Sequence, residues 1–135
     1  MFETILCIDD DPIALMLCKK VIAKFNFSNT VITAQNGQEA LSLFDNYLTD
    51  STHNKMPNLI FLDLNMPVMN GWEFLEQFSL VNYKVFSTIP IIVLSSTIDP
   101  EDISKSKKYP NVIEFLSKPI TTEILSYLDT KLKTL

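Results

Sequence analysis

Leu59-Ile60-Phe61-Leu62-Asp63 is an unbroken apolar run that stops on a carboxylate. A strand with one wet face alternates apolar and polar residues, whereas a run without alternation suits a strand buried on both faces of a parallel sheet. Working outward, similar runs occur at Thr4 to Ile8, Thr30 to Ala34, Ile89 to Leu94 and Val112 to Leu116. Helical periodicity separates and follows them. Asp11-Pro12 opens a first helix with Ala14, Leu17, Cys18, Val21 and Phe25 on one stripe. Asn36-Gly37, with Glu39 supporting the cap, opens a second whose inner face is Ala40, Leu41, Phe44 and Leu48. A third follows Gly71 and buries Phe74, Leu75 and Phe78. A fourth starts at Asp99-Pro100 with little more than Ile103 to anchor it. The fifth runs from about Thr121, with Ile124, Leu125, Leu128 and Leu132 inward and Lys131 and Lys133 near its negative end. The alternation predicts an α/β fold: a five-stranded parallel sheet, doubly wound as (βα)5 by right-handed crossovers.

With 135 residues, 47% of them hydrophobic, the chain suffices for one core and is short for two, so a single domain over 1–135 is expected. No internal repeat or linker divides it. Sixteen acidic against eleven basic residues give a net charge of -5, which disfavours nucleic acid and anionic membrane as direct partners. Met1-Phe2-Glu3-Thr4 carries no basic region before a short apolar run, so a soluble, cytoplasmic protein is expected. Cys7 and Cys18 read as small buried hydrophobes in a reducing compartment.

Ligand sites of such sheets lie beyond the carboxyl ends of the strands. The residues there are Asp9-Asp10-Asp11 after the first run, Asp63 after the third, Ser95-Ser96 after the fourth and Lys118-Pro119 after the fifth. Three carboxylates at one edge either raise their own pKa values or recruit a cation, and hard oxygen donors without His or Cys suit Mg²⁺. Lys118 offers a mobile cation and Ser95 a hydroxyl donor, which together with a carboxylate acceptor is the inventory phosphoryl transfer needs.

These residues carry a resemblance to the receiver domains of bacterial two-component response regulators. The motifs are Ile5-Leu6-Cys7-Ile8-Asp9-Asp10, the stretch from Leu62-Asp63-Leu64-Asn65-Met66-Pro67 to Gly71, Pro90-Ile91-Ile92-Val93-Leu94-Ser95, and Phe115-Leu116-Ser117-Lys118-Pro119. The resemblance implies strand order 2-1-3-4-5. It also implies Asp63 as phosphoacceptor, Asp10 as a direct metal ligand, Asp9 as a ligand mainly through water, and a backbone carbonyl from Asn65. Ser95 and Phe115 would be switch residues, and Lys118 would bridge phosphoryl group and carboxylate. A cis bond at Lys118-Pro119 would fit the family. The implied function is a signalling switch rather than a turnover enzyme. Its phosphodonor is a histidine kinase, a phosphotransfer protein or a small phosphodonor, and its output partner meets the face of the fourth helix, fifth strand and fifth helix. A monomer or a phosphorylation-dependent dimer is expected, and with no output domain after the fifth helix the expectation is either a stand-alone receiver or a sequence that stops early.

Three rivals fit less well. A phosphatase of the haloacid dehalogenase type needs a second acid two residues after its aspartate, where Asn65 stands. A flavin module needs a Gly/Ser/Thr-rich phosphate loop, where Asp10-Asp11-Pro12 stands. An unphosphorylated interaction domain would have no use for the full set of Asp9, Asp10, Asp63, Ser95 and Lys118. Trp72 reads as a partly buried helix residue and His53 as a surface residue. The stretch Thr49 to Asn58 is longer than the family pattern, and Lys107-Lys108-Tyr109-Pro110-Asn111 replaces its usual small-residue turn.

Overall fold

In the computed structural model, which describes residues 2–49 and 56–132, strands and helices alternate along the chain. They are β1 (Phe2–Ile8), α1 (Pro12–Phe25), β2 (Ser28–Ala34), α2 (Gly37–Thr49), β3 (Leu59–Leu62), α3 (Gly71–Phe78), β4 (Ile91–Ser95), α4 (Pro100–Ser106), β5 (Val112–Ser117) and α5 (Thr122–Leu132). The strands form one sheet in the order β2-β1-β3-β4-β5, parallel at every pairing. The expected fold and strand order are both present. The readings of His53 and Lys133 fall outside the described residues.

Successive strand residues point to opposite faces, so each apolar run feeds two cores. Leu6, Ile8, Ile60, Leu62 and Ile91 pack with Ala40, Phe44, Phe74 and Phe78 on the α2/α3 side. Ile5, Cys7, Leu59, Phe61, Ile92 and Leu94 pack with Leu15, Cys18, Ile22, Leu125 and Leu128 on the α1/α5 side. Phe44 lies 4.7 Å from Phe78 and 4.9 Å from Phe86, ring centre to ring centre. Burying one such ring stabilises by about 1.5–3 kcal/mol.

Two helix faces differ from expectation. In α1 the buried residues are Leu15, Cys18 and Ile22, while Leu17 is 39% exposed. Ile13 to Cys18 is apolar all round, so periodicity locates that helix without fixing its rotation. In α2, Tyr47 is buried and Leu48 is 43% exposed. β4 begins at Ile91, not Ile89, because Ile89 donates to the Phe86 carbonyl at 3.0 Å and so closes the preceding turn. That turn follows a 3-10 helix at Val81–Phe86, which buries Tyr83 and Phe86.

The helix starts use side chains as the sequence proposes. Asn36 Oδ1 accepts from the Glu39 N–H at 2.9 Å, and Glu39 Oε1 accepts from the Gln35 N–H at 3.1 Å. At α3 the box closes on the cap residue itself: Asn70 Oδ1 accepts from the Glu73 N–H and Glu73 Oε1 accepts from the Asn70 N–H. Replacing Asn70 with Ala removes one of the two bonds, and the expected loss is about 1 kcal/mol. Urea unfolding should show a lower midpoint with unchanged slope, and a variant as stable as the parent would contradict this role for the box.

Candidate functional site

Three strand ends bring the acids and the lysine together. Asp9 follows β1 and is held there by its N–H to the Ala34 carbonyl at 3.0 Å. Asp63 follows β3, with its N–H on the Ile8 carbonyl at 2.9 Å. Both are buried, 7% and 6% exposed, whereas Asp10 is exposed. Carboxylate oxygens of Asp9, Asp10 and Asp63 all lie within 4.8 Å of one another. Lys118 comes from the β5–α5 connection, where its N–H donates to the Ser95 carbonyl at 2.8 Å and the Lys118–Pro119 peptide is cis. Its Nζ lies 2.5 Å from Asp9 Oδ2 and 3.4 Å from Asp63 Oδ1.

The electrostatics follow from that crowding. Burial, and after it the Asp9 charge, hold the Asp63 carboxyl above its ordinary 3.8, while Lys118 and a hydrogen bond from the Asn65 backbone oppose the rise. Burial works hardest on Lys118 and would lower its pKa, yet the Asp9 hydrogen bond and the charges of Asp63 and Asp9 together raise it above 10.5. Lys118 is therefore a firmly charged counter-ion. A raised carboxyl binds its proton more tightly folded than unfolded. The stability it confers is present below pH 3.8 and is lost as pH climbs through the folded value. Asp63→Asn should therefore be more stable than the parent at pH 7, with a higher Tm. The gap should close as pH falls below 4 in metal-free buffer, as followed by thermal melts. A parent more stable than the variant at pH 7 would contradict this assignment of charge.

The other expected site residues sit nearby in different environments. Ser95 ends β4, 2% exposed, and its Oγ accepts from the Thr97 N–H at 3.3 Å. Phe115 is half-buried on β5, opposite Val93. Asn65 is exposed, two residues beyond Asp63.

Sequence reasoning did not find the supports of the β3–α3 loop. Val68 adopts φ 67°, left-handed for a β-branched residue. The Gly37 N–H donates to the Met69 carbonyl at 2.9 Å, docking this loop on the start of α2, and the Gly71 N–H donates to the Leu64 carbonyl at 2.9 Å. A Cβ on Gly71 would lie 2.6 Å from the Asp63 carbonyl oxygen. Both glycines were visible as residues at helix starts, but such close approaches are tertiary facts. The Asp11 N–H also donates to Asp9 Oδ1 at 3.0 Å, and Asp11 Oδ1 caps α1 through Ile13.

The profile of the response regulator receiver domain matches residues 5–128. The chain belongs to the response regulator receiver domain family. Among its relatives, the transcriptional regulatory protein HptR of Staphylococcus aureus (strain N315) is 32% identical over 122 residues, 89% of this chain and 42% of that protein. The sensor histidine kinase CheAY of Helicobacter pylori is 27% identical over 90% of this chain and 14% of its own length. This receiver domain thus spans less than half the length of these two relatives. A solved two-component response regulator from Cytophaga hutchinsonii superposes with a TM-score of 0.87 at 27% identity, covering 99% of this chain and 98% of that one. Receiver domains are signalling switches of two-component systems and generally not turnover enzymes. The Asp9, Asp10 and Asp63 cluster of this receiver domain can hold a metal, and none of its described helices is long and apolar enough to cross a membrane.

Proposed function

We propose that this receiver domain accepts a phosphoryl group on Asp63, with Mg²⁺ held by Asp9, Asp10, Asp63 and the Asn65 carbonyl, and thereby changes its partner-binding face. The observation that carries the reading is the convergence of three carboxylates and one lysine at adjacent strand ends. The donor set fits the ion, since all the side-chain donors are hard oxygens and their separation suits one small cation. Bound there, Mg²⁺ supplies charge neutralisation for incoming phosphoryl oxygens.

The chain's own residues do the rest. An Asp63 carboxylate oxygen attacks phosphorus, an Asp63 O–P bond forms, and the bond from phosphorus to the donor's imidazole nitrogen or acyl oxygen breaks in line with it. No proton has to leave Asp63, so no general base is required. Lys118 faces the charge that arrives and neutralises part of it. Ser95 offers a hydroxyl to a phosphoryl oxygen once it gives up its contact with Thr97. Phe115 follows Ser95 as the second switch residue, because β4 and β5 are neighbours. The response reaches α4, β5 and α5, of which α4 is the shortest α-helix among the described residues and buries only Ser106.

Incubation with Mg²⁺ and acetyl phosphate, followed by intact-mass analysis, tests the reading. One added phosphoryl group that does not form when EDTA is present from the start supports it. No label, or continuous hydrolysis of added phosphate esters, contradicts it.

A further inference from the structure

Cys7 on β1 and Cys18 on α1 bring their sulfurs within 3.0 Å of each other in the α1/α5 core. Both are free thiols. They also line a cavity of about 80 Å³ whose walls include Asp9, Asp63 and Lys118. We propose that Cys7 and Cys18 form a redox-active dithiol whose oxidation to a disulfide slows phosphoryl acceptance at Asp63. The slowing rests on the reading of Asp63 given above; the disulfide itself does not.

Two observations carry the inference. The sulfurs already touch, and bonding needs a further approach of only about 1 Å, to roughly 2.05 Å. The cavity of about 80 Å³ exceeds the roughly 10–15 Å³ that one water needs, so a small peroxide has room beside both thiols. Hydrogen peroxide supplies the two oxidising equivalents. One sulfur attacks a peroxide oxygen, the O–O bond breaks, and sulfenic acid and water result. The second sulfur then attacks the first, its proton leaves with the displaced hydroxyl as a second water, and the S–S bond forms.

The consequence for the site is mechanical. Cys7 lies two residues before Asp9, and Cys18 lies in the helix that Asp11 caps. β1 is held between β2 and β3, so closing the gap between the sulfurs shifts α1 rather than β1. Shifting α1 moves Asp11, whose N–H fixes Asp9 Oδ1 at 3.0 Å. Displacing a positioning group by about 1 Å can cost about 100-fold in rate.

Reduced protein is treated with hydrogen peroxide, alkylated with iodoacetamide under denaturing conditions and weighed, and parallel samples are labelled with acetyl phosphate and Mg²⁺. The expected result is loss of both alkylatable thiols and of two hydrogens, reversal by dithiothreitol, and labelling slowed about tenfold or more in the oxidised form. Cys18→Ala should label at a rate that peroxide leaves unchanged. Thiols that stay alkylatable, oxygen added to a single sulfur, a bond between two chains, or oxidised protein that labels as fast as reduced protein would each overturn the proposal. Reduced protein that takes no label would overturn the Asp63 reading and the slowing with it, while the disulfide is scored on mass alone.

Discussion

Lys118→Ala is expected to destabilise the metal-free protein by about 2 kcal/mol at pH 7, a partly exposed version of breaking a buried ion pair. The lysine sits 2.5 Å from Asp9 and 3.4 Å from Asp63, and without it two buried carboxylates face each other uncompensated. Because Lys118 lowers the Asp63 pKa, its removal raises that value further. The loss of stability with rising pH should then begin at the same unfolded value near 3.8 and continue to a higher pH than in the parent. The same variant should bind Mg²⁺ more tightly, since no ammonium competes for Asp9, yet accept phosphoryl groups at least about tenfold more slowly. Urea unfolding at pH 5 and pH 7, Mg²⁺ titration calorimetry and mass-resolved labelling read the three effects. Stability equal to the parent at both pH values would show that the lysine does not compensate the pair.

Gly71→Ala carries the second large effect, about 3 kcal/mol. The glycine φ is not positive, so the requirement is space rather than backbone freedom. A Cβ would meet the Asp63 carbonyl oxygen at 2.6 Å and Leu64 Cα at 2.8 Å, both backbone atoms that cannot turn aside. The β3–α3 connection would have to move, and the acid at its start with it. Gly37→Ala is the control: its nearest contact, at 2.7 Å, is the Met69 Cγ of a flexible side chain, so its loss should be clearly smaller. Thermal melts of the two variants decide the point, and equal losses would contradict the distinction.

The strand ends were legible because uninterrupted apolar runs leave one reading for a short strand, and the residue after each run then lands on a known edge. Asp9, Asp63 and Lys118 therefore meet as their positions proposed. Helix rotation was less legible where the chain is apolar on every side, as in α1, or where two large side chains adjoin, as at Tyr47 and Leu48. The 3-10 helix of Val81–Phe86 shows no clear helical stripe, and its Tyr83 is fixed by a distant partner, donating to Asp45 at 2.7 Å. The Lys107–Asn111 segment likewise takes its place from contacts that spacing does not encode. Tyr109 lies 6.3 Å from Trp72 and donates to Glu76 at 3.0 Å, while Lys105 lies 4.5 Å above the same indole.

Borohydride reduction of the acetyl phosphate-treated protein, followed by peptide mass mapping, asks which residue carried the phosphoryl group. An acyl phosphate on Asp63 is reduced to homoserine, so the account predicts homoserine at position 63 alone, dependent on Mg²⁺ and absent from untreated protein. Homoserine at another position, or a phosphoryl group that survives reduction on a hydroxyl side chain, would contradict it.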